Sequence, residues 1–138
     1  MRRYILFALA VGLVVGMLAL GGCAADPQAE QRERLDDAIH DVEIALGRYY
    51  TVDPQGPASA LETVTERVAS AWEGAREEAI GLDDIETAAA QEALDDLVQA
   101  TEGLADDLTA REGLAALEPY IEEFDHAVDE IHDALDAH

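Results

Sequence analysis

The sequence predicts an all-α domain, an antiparallel up-down-up-down four-helix bundle whose last helix is kinked or broken near Pro119. Apolar residues recur at three- and four-residue steps in four separate stretches, the spacing that lines one face of an α-helix. No stretch shows the strict alternation of a half-buried strand. Short breaker-rich connections separate the stretches, which favours antiparallel neighbours. A three-helix bundle carrying a separate helical hairpin arm satisfies the same pattern and stays open.

The chain starts with Met1-Arg2-Arg3, runs without interruption through apolar residues from Tyr4 to Leu20, and closes on Leu20-Gly21-Gly22-Cys23. A basic start, a greasy middle and small residues at a cut site are the three parts of an export signal. The last four residues resemble the lipobox of bacterial lipoproteins. That resemblance implies a diacylglyceryl group, carrying fatty acyl chains such as palmitate, on the sulfur of Cys23. It also implies a signal peptide of residues 1–22 cut between Gly22 and Cys23. An uncleaved membrane helix is disfavoured because roughly 17 apolar residues are at the short end of a span, and four glycines weaken the helix. An ordinary secretory signal would leave Cys23, the chain's one cysteine, as a thiol without a partner in an oxidising compartment. Arg2-Arg3 lacks a preceding Ser or Thr, so general secretion is favoured over the twin-arginine route. Burial of each lipid methylene contributes about 0.8 kcal/mol, and two or more acyl chains give stable attachment.

Residues 23–28 read as the lipidated cysteine and a short tether, and 29–138 as an acidic helical domain. A first helix is expected from Ala29 to Tyr50, with Leu35, Ile39, Val42, Leu46 and Tyr49 as its stripe. Asp53-Pro54-Gln55-Gly56-Pro57 is the clearest loop in the chain. Ser59 and Glu62 have capping-box spacing and open a second helix, whose stripe is Leu61, Val64, Val68, Trp72, Ala75 and Ala79. Gly81 is a left-handed stop followed by Leu82. Asp83 and Glu86 suggest another capped start, although Ile85 falls off the stripe of Ala90, Leu94, Leu97, Val98 and Thr101. That third helix ends at Gly103. After a connector at Leu104 to Leu108, Thr109 and Glu112 form a further box. From Leu114 through Leu117, Ile121, Phe124, Val128 and Ile131 to Leu135 the apolar register runs unbroken past Pro119. A proline there costs about 3 kcal/mol in a helix interior. The continuous register makes both halves face one core.

Charge excludes several functions. Among eight basic residues, Arg2 and Arg3 fall in the signal, leaving six arginines against 31 acids and a net of −25 after the cut. Such a surface argues against nucleic acid, whose phosphates need clustered Lys or Arg. It suits a cationic protein partner, divalent cations or simple solubility. The chain holds no Lys and no Asn, as a GC-rich genome or a halophile would produce. A lipobox followed by an acidic, Ala- and Asp-rich helical domain is similar to the small uncharacterised lipoproteins of actinobacteria, and this likeness implies no activity.

No catalytic residue emerges. Ser59 and Ser70 are the only serines, and neither has a nucleophile motif around it. Glycine loops that cradle phosphate are absent. Glu123 and His126 have the Glu-x-x-His spacing of di-iron bundles, but His126 and His40 lie opposite their apolar stripes and face water. His132 flanks a stripe, where a partly buried structural histidine is expected. The expectation is therefore no cofactor and no metal, beyond the lipid on Cys23. The acidic pairs Asp83-Asp84, Asp95-Asp96 and Asp106-Asp107 recur at close to whole helical turns. Carboxylates of Asp95, Asp96, Asp106 and Asp107 on one helix flank would be the weaker alternative, a divalent-cation site. Trp72 is expected in the core. Tyr49, Tyr50 and Tyr120 at the Pro/Gly loop end are the candidate partner-binding residues. The sequence thus predicts a membrane-anchored, extracytoplasmic, non-catalytic binding or structural module on the outer face of the cell membrane.

Overall fold

The computed structural model describes residues 26–138. The expected signal peptide, Gly22 and Cys23 lie outside the described residues. Four helices follow one another: α1 (Pro27–Gly47), α2 (Ser59–Ala79), α3 (Ala88–Glu102) and α4 (Ala110–Asp136). No strand occurs among the described residues, apart from an isolated bridge between Pro57 and Thr109.

Side-chain ties fix the directions of the helices. Gln31, Arg32 and Arg34 at the start of α1 bond Glu78, Ile80 and Asp84 at and beyond the end of α2. Tyr49, just past α1, bonds Thr65 early in α2, so these two run antiparallel. Trp72 bonds Gln91 and Thr65 meets Thr101, which makes α2 and α3 antiparallel. Leu104, past the end of α3, lies against Gly113 early in α4, while His138, past the end of α4, pairs with Asp84, ahead of α3. The result is an up-down-up-down bundle. Its core holds Leu35, Ile39 and Val42 from α1, Leu61, Val68 and Trp72 from α2, Leu97 from α3, and Leu117, Phe124 and Val128 from α4. Trp72 and Phe124 meet edge to face across the middle, with centroids 5.8 Å apart and planes at 87°, the arrangement favoured by ring quadrupoles.

Several helix ends differ from expectation for identifiable reasons. Pro27 is the first residue of α1 rather than part of the tether, since a missing N–H costs nothing at that position. Asp26 Oδ1 accepts from the Gln28 N–H beside it. The α-helix stops at Gly47, and Arg48–Thr51 tighten into a 3₁₀ turn. The Ser59–Glu62 box does not form. Ala58 already has helical backbone angles, so Ser59 sits inside the helix and cannot cap it. The cause is tertiary: Ala58 N–H donates to the Leu108 carbonyl, Ala110 N–H to Gly56, and Arg111 N–H to Pro54, pinning the Pro/Gly loop to the α3–α4 connector.

Asp83 and Glu86 do not open α3, which starts at Ala88. Leu82 and Ile85 are both buried and turn the connector inward, and a helix from Asp83 would have carried Ile85 off its stripe. Gly81 has the expected left-handed φ of 92°, and α3 ends at Gly103. The Thr109–Glu112 box is fully formed, with Thr109 N–H donating to Glu112 Oε2 at 2.9 Å and Glu112 N–H to Thr109 Oγ1 at 3.3 Å. Helix α4 then runs through Pro119 without a break. Pro119 and Ala115, whose carbonyl the proline leaves without its helical donor, are both exposed, so water can reach that carbonyl.

Candidate functional site

The Pro/Gly loop, the 3₁₀ turn and the α3–α4 connector gather at one end of the bundle. Tyr49 and Tyr50 are adjacent there but have opposite fates. Tyr49 is 1% exposed and belongs to the core, which removes it from the partner-binding candidates. Its hydroxyl lies 2.6 Å from Thr65 Oγ1. Burial pushes the Tyr49 pKa up to about 12, only partly offset by the Thr65 bond. Tyr50 is 61% exposed, and desolvation followed by the charges of Glu118, Glu122 and Asp125 raises its pKa. Tyr120 is also on the surface, but it is two residues past Glu118 and so roughly 200° around α4 from it. The three tyrosines therefore do not form one cluster. Instead Tyr49 and Tyr50 border a cavity of about 170 Å³ with Val52, Pro54, Arg111 and Leu114.

A larger groove, about 380 Å³, lies between α2 and α3. Ala69 and Val98 form its apolar walls, Thr65 and Thr101 its floor, and Glu62, Glu66 and Glu102 its rim. Thr65 and Thr101 are buried, at 4% and 3% exposure. Their hydroxyls are 3.0 Å apart, and each also lies within reach of a carbonyl one turn back, Leu61 for Thr65 and Leu97 for Thr101. Four contacts, counting that to Tyr49, share three hydroxyl protons. Every arrangement that uses each proton once has Tyr49 donating to Thr65, Thr65 to the Leu61 carbonyl or Thr101, and Thr101 to the Leu97 carbonyl or Thr65. Sequence periodicity put Thr101 on the α3 stripe but passed over Thr65. The available signal was its place four residues after Leu61 and three before Val68.

The histidines fall as their helix positions require. His40 and His126 side chains are 70% and 78% exposed. His132 is 40% exposed at the α1–α4 seam, its Nδ1 3.4 Å from Glu43 and its Nε2 3.8 Å from Asp136. Burial lowers the His132 pKa, but the Glu43 bond and the charges of Asp136 and Asp36 outweigh it and leave the value raised. Asp125 nearby is also raised, by burial and then by Asp129 and Glu43.

Among the described residues, no three His, Cys, Asp or Glu side chains converge to hold a metal ion. The acidic pairs do not share a helical flank. Asp95 and Asp96 are on α3, whereas Asp83-Asp84 and Asp106-Asp107 lie in connectors, so the whole-turn spacing has no continuous helix to act on. Asp95 is instead spent locally. It accepts from Gln91 Nε2 at 2.9 Å, while Gln91 Oε1 takes the buried Trp72 indole N–H at 2.8 Å.

Of the described helices, none is long and apolar enough to cross a membrane. Comparison with family models, with curated proteins and with solved structures yields no match to this chain.

Proposed function

We propose that this chain is a bacterial lipoprotein, held on the outer face of the cell membrane by a diacylglyceryl group on Cys23. Its acidic helical bundle acts there as a non-catalytic binding or structural module. The observation that carries this reading is Leu20-Gly21-Gly22-Cys23 closing an apolar run behind two arginines. The start of α1 at Pro27 supports it, since only residues 24–26 then separate the lipid from the first helix.

The ties of Gln31, Arg32 and Arg34 to the α2 end suit that role as well. They join the anchor-proximal turns of α1 to the rest of the bundle, so a pull on the lipid is shared by two helices.

Metabolic labelling with a palmitate analogue tests the proposal. Wild-type protein takes up the label, and Cys23→Ser abolishes it. Label persisting in the variant refutes the anchor.

A further inference from the structure

The side chains lining the α2–α3 groove offer hydrogen-bond acceptors and no free donors. The hydroxyl protons of Tyr49, Thr65 and Thr101 each have an acceptor inside the bundle, leaving oxygen lone pairs on the floor. A hydroxyl is one donor and two acceptor lone pairs, so Thr101, its proton spent on Leu97 or Thr65, keeps at least one acceptor site. The rim is Glu62, Glu66 and Glu102, acceptors only, and no basic side chain lines the groove. None of the three glutamates belongs to an ion pair among the described residues. Between floor and rim, Ala69 and Val98 give a short apolar wall.

The complement of that surface is a group with an aliphatic stem and a head that carries positive charge and only donates. Lysine fits in every respect, and arginine nearly as well: their methylenes pack on apolar surface while the head stays among carboxylates. We infer that the α2–α3 groove docks lysine- or arginine-bearing segments of a protein partner. The net charge, −23 over the full sequence, draws such a segment in from solution, and the groove determines where it stops. This inference rests on the proposed binding role, and identifies the face and the chemistry of the partner.

The test uses the full chain in nanodiscs of zwitterionic lipid, with a fluorescently labelled peptide of alternating lysine and alanine as probe and empty discs as blank. Anisotropy at low ionic strength should show saturable binding. Replacing Glu62, Glu66 and Glu102 together by Gln should weaken it about tenfold, the combined effect of three exposed ion pairs. Removing the same number of charges from the outer face of α1, by Glu33→Gln with Asp37→Asn and Asp41→Asn, should change it less than twofold. Ala69→Leu, which fills the groove and leaves the charge untouched, should also weaken binding. Equal loss in the two charge-removal variants would show attraction to the whole acidic surface and overturn the groove assignment. Absence of binding to the wild type would overturn it too. Either failure is distinct from failure of the anchor, which palmitate labelling reads separately.

Discussion

The Tyr49 hydroxyl, carried on the 3₁₀ turn after α1, lies 2.6 Å from the Thr65 hydroxyl inside α2. One contact thus ties the end of α1 to the floor of the α2–α3 groove, and through Thr101 to α3.

Thr65→Val leaves the Tyr49 hydroxyl buried without its acceptor and should cost about 1–3 kcal/mol, whereas Tyr49→Phe removes the donor and should cost about 1 kcal/mol. The double variant should lose less than the two added together, as expected for partners in one network. Urea denaturation of all four proteins measures this. Strict additivity would mean the hydroxyls do not interact.

The same burial predicts an alkaline limit. Tyr49 ionises near 12 when folded, against 10.0 for a free tyrosine. A raised folded value means that the native state holds its proton longer, so the stability it gives is present below pH 10 and is lost between 10 and about 12. Tyr49→Phe should flatten that part of the pH–stability curve, and an unchanged curve would contradict the assignment.

His132 gives a dependence near neutrality. Its folded value is raised above the ordinary 6.5, so its contribution is present below that pH and fades as pH rises through the raised value. Denaturation midpoints at about pH 5.5 and 8 should differ less in His132→Gln than in the wild type. An equal difference in both would remove the Glu43–His132 contact as a source.

Two glycines in helices should respond in opposite directions. A Cβ at Gly113 would meet Leu61 Cδ1 at 2.8 Å, Ala58 Cβ at 3.2 Å and Leu104 Cδ1 at 3.3 Å. Gly113→Ala should therefore destabilise by about 1–3 kcal/mol through overpacking, despite better helix propensity. Gly74 has open space around it, and Gly74→Ala should stabilise by about 0.5–1 kcal/mol. Thermal or urea unfolding of both separates packing from propensity, and stabilisation by Gly113→Ala would refute the packing at α2–α4.

Helix identity and the core were legible in the sequence because a stripe such as Leu114 to Leu135 depends only on periodicity. Trp72 in the core, the outward His40 and His126, the left-handed Gly81 and the Thr109–Glu112 box follow from equally local rules. What failed depended on tertiary contacts. Ser59 lost its cap because residues far along the chain pin the loop before it, and Ile85 entered the core from a connector instead of a helix. The site was less legible than the fold. Tyr49 fitted both a stripe and a surface cluster, and its burial with the bond to Thr65 separates them. The acceptor-only groove depends on hydroxyls of the 3₁₀ turn, α2 and α3 meeting one another, which spacing along one helix does not contain.

The lipid anchor on Cys23 is read most directly from the intact mass of the protein extracted from its native membrane. The expected species is a chain beginning at Cys23, without residues 1–22, and heavier than that sequence by at least a diacylglyceryl group. A mass matching an unmodified thiol at Cys23, or a chain retaining Met1, would contradict it.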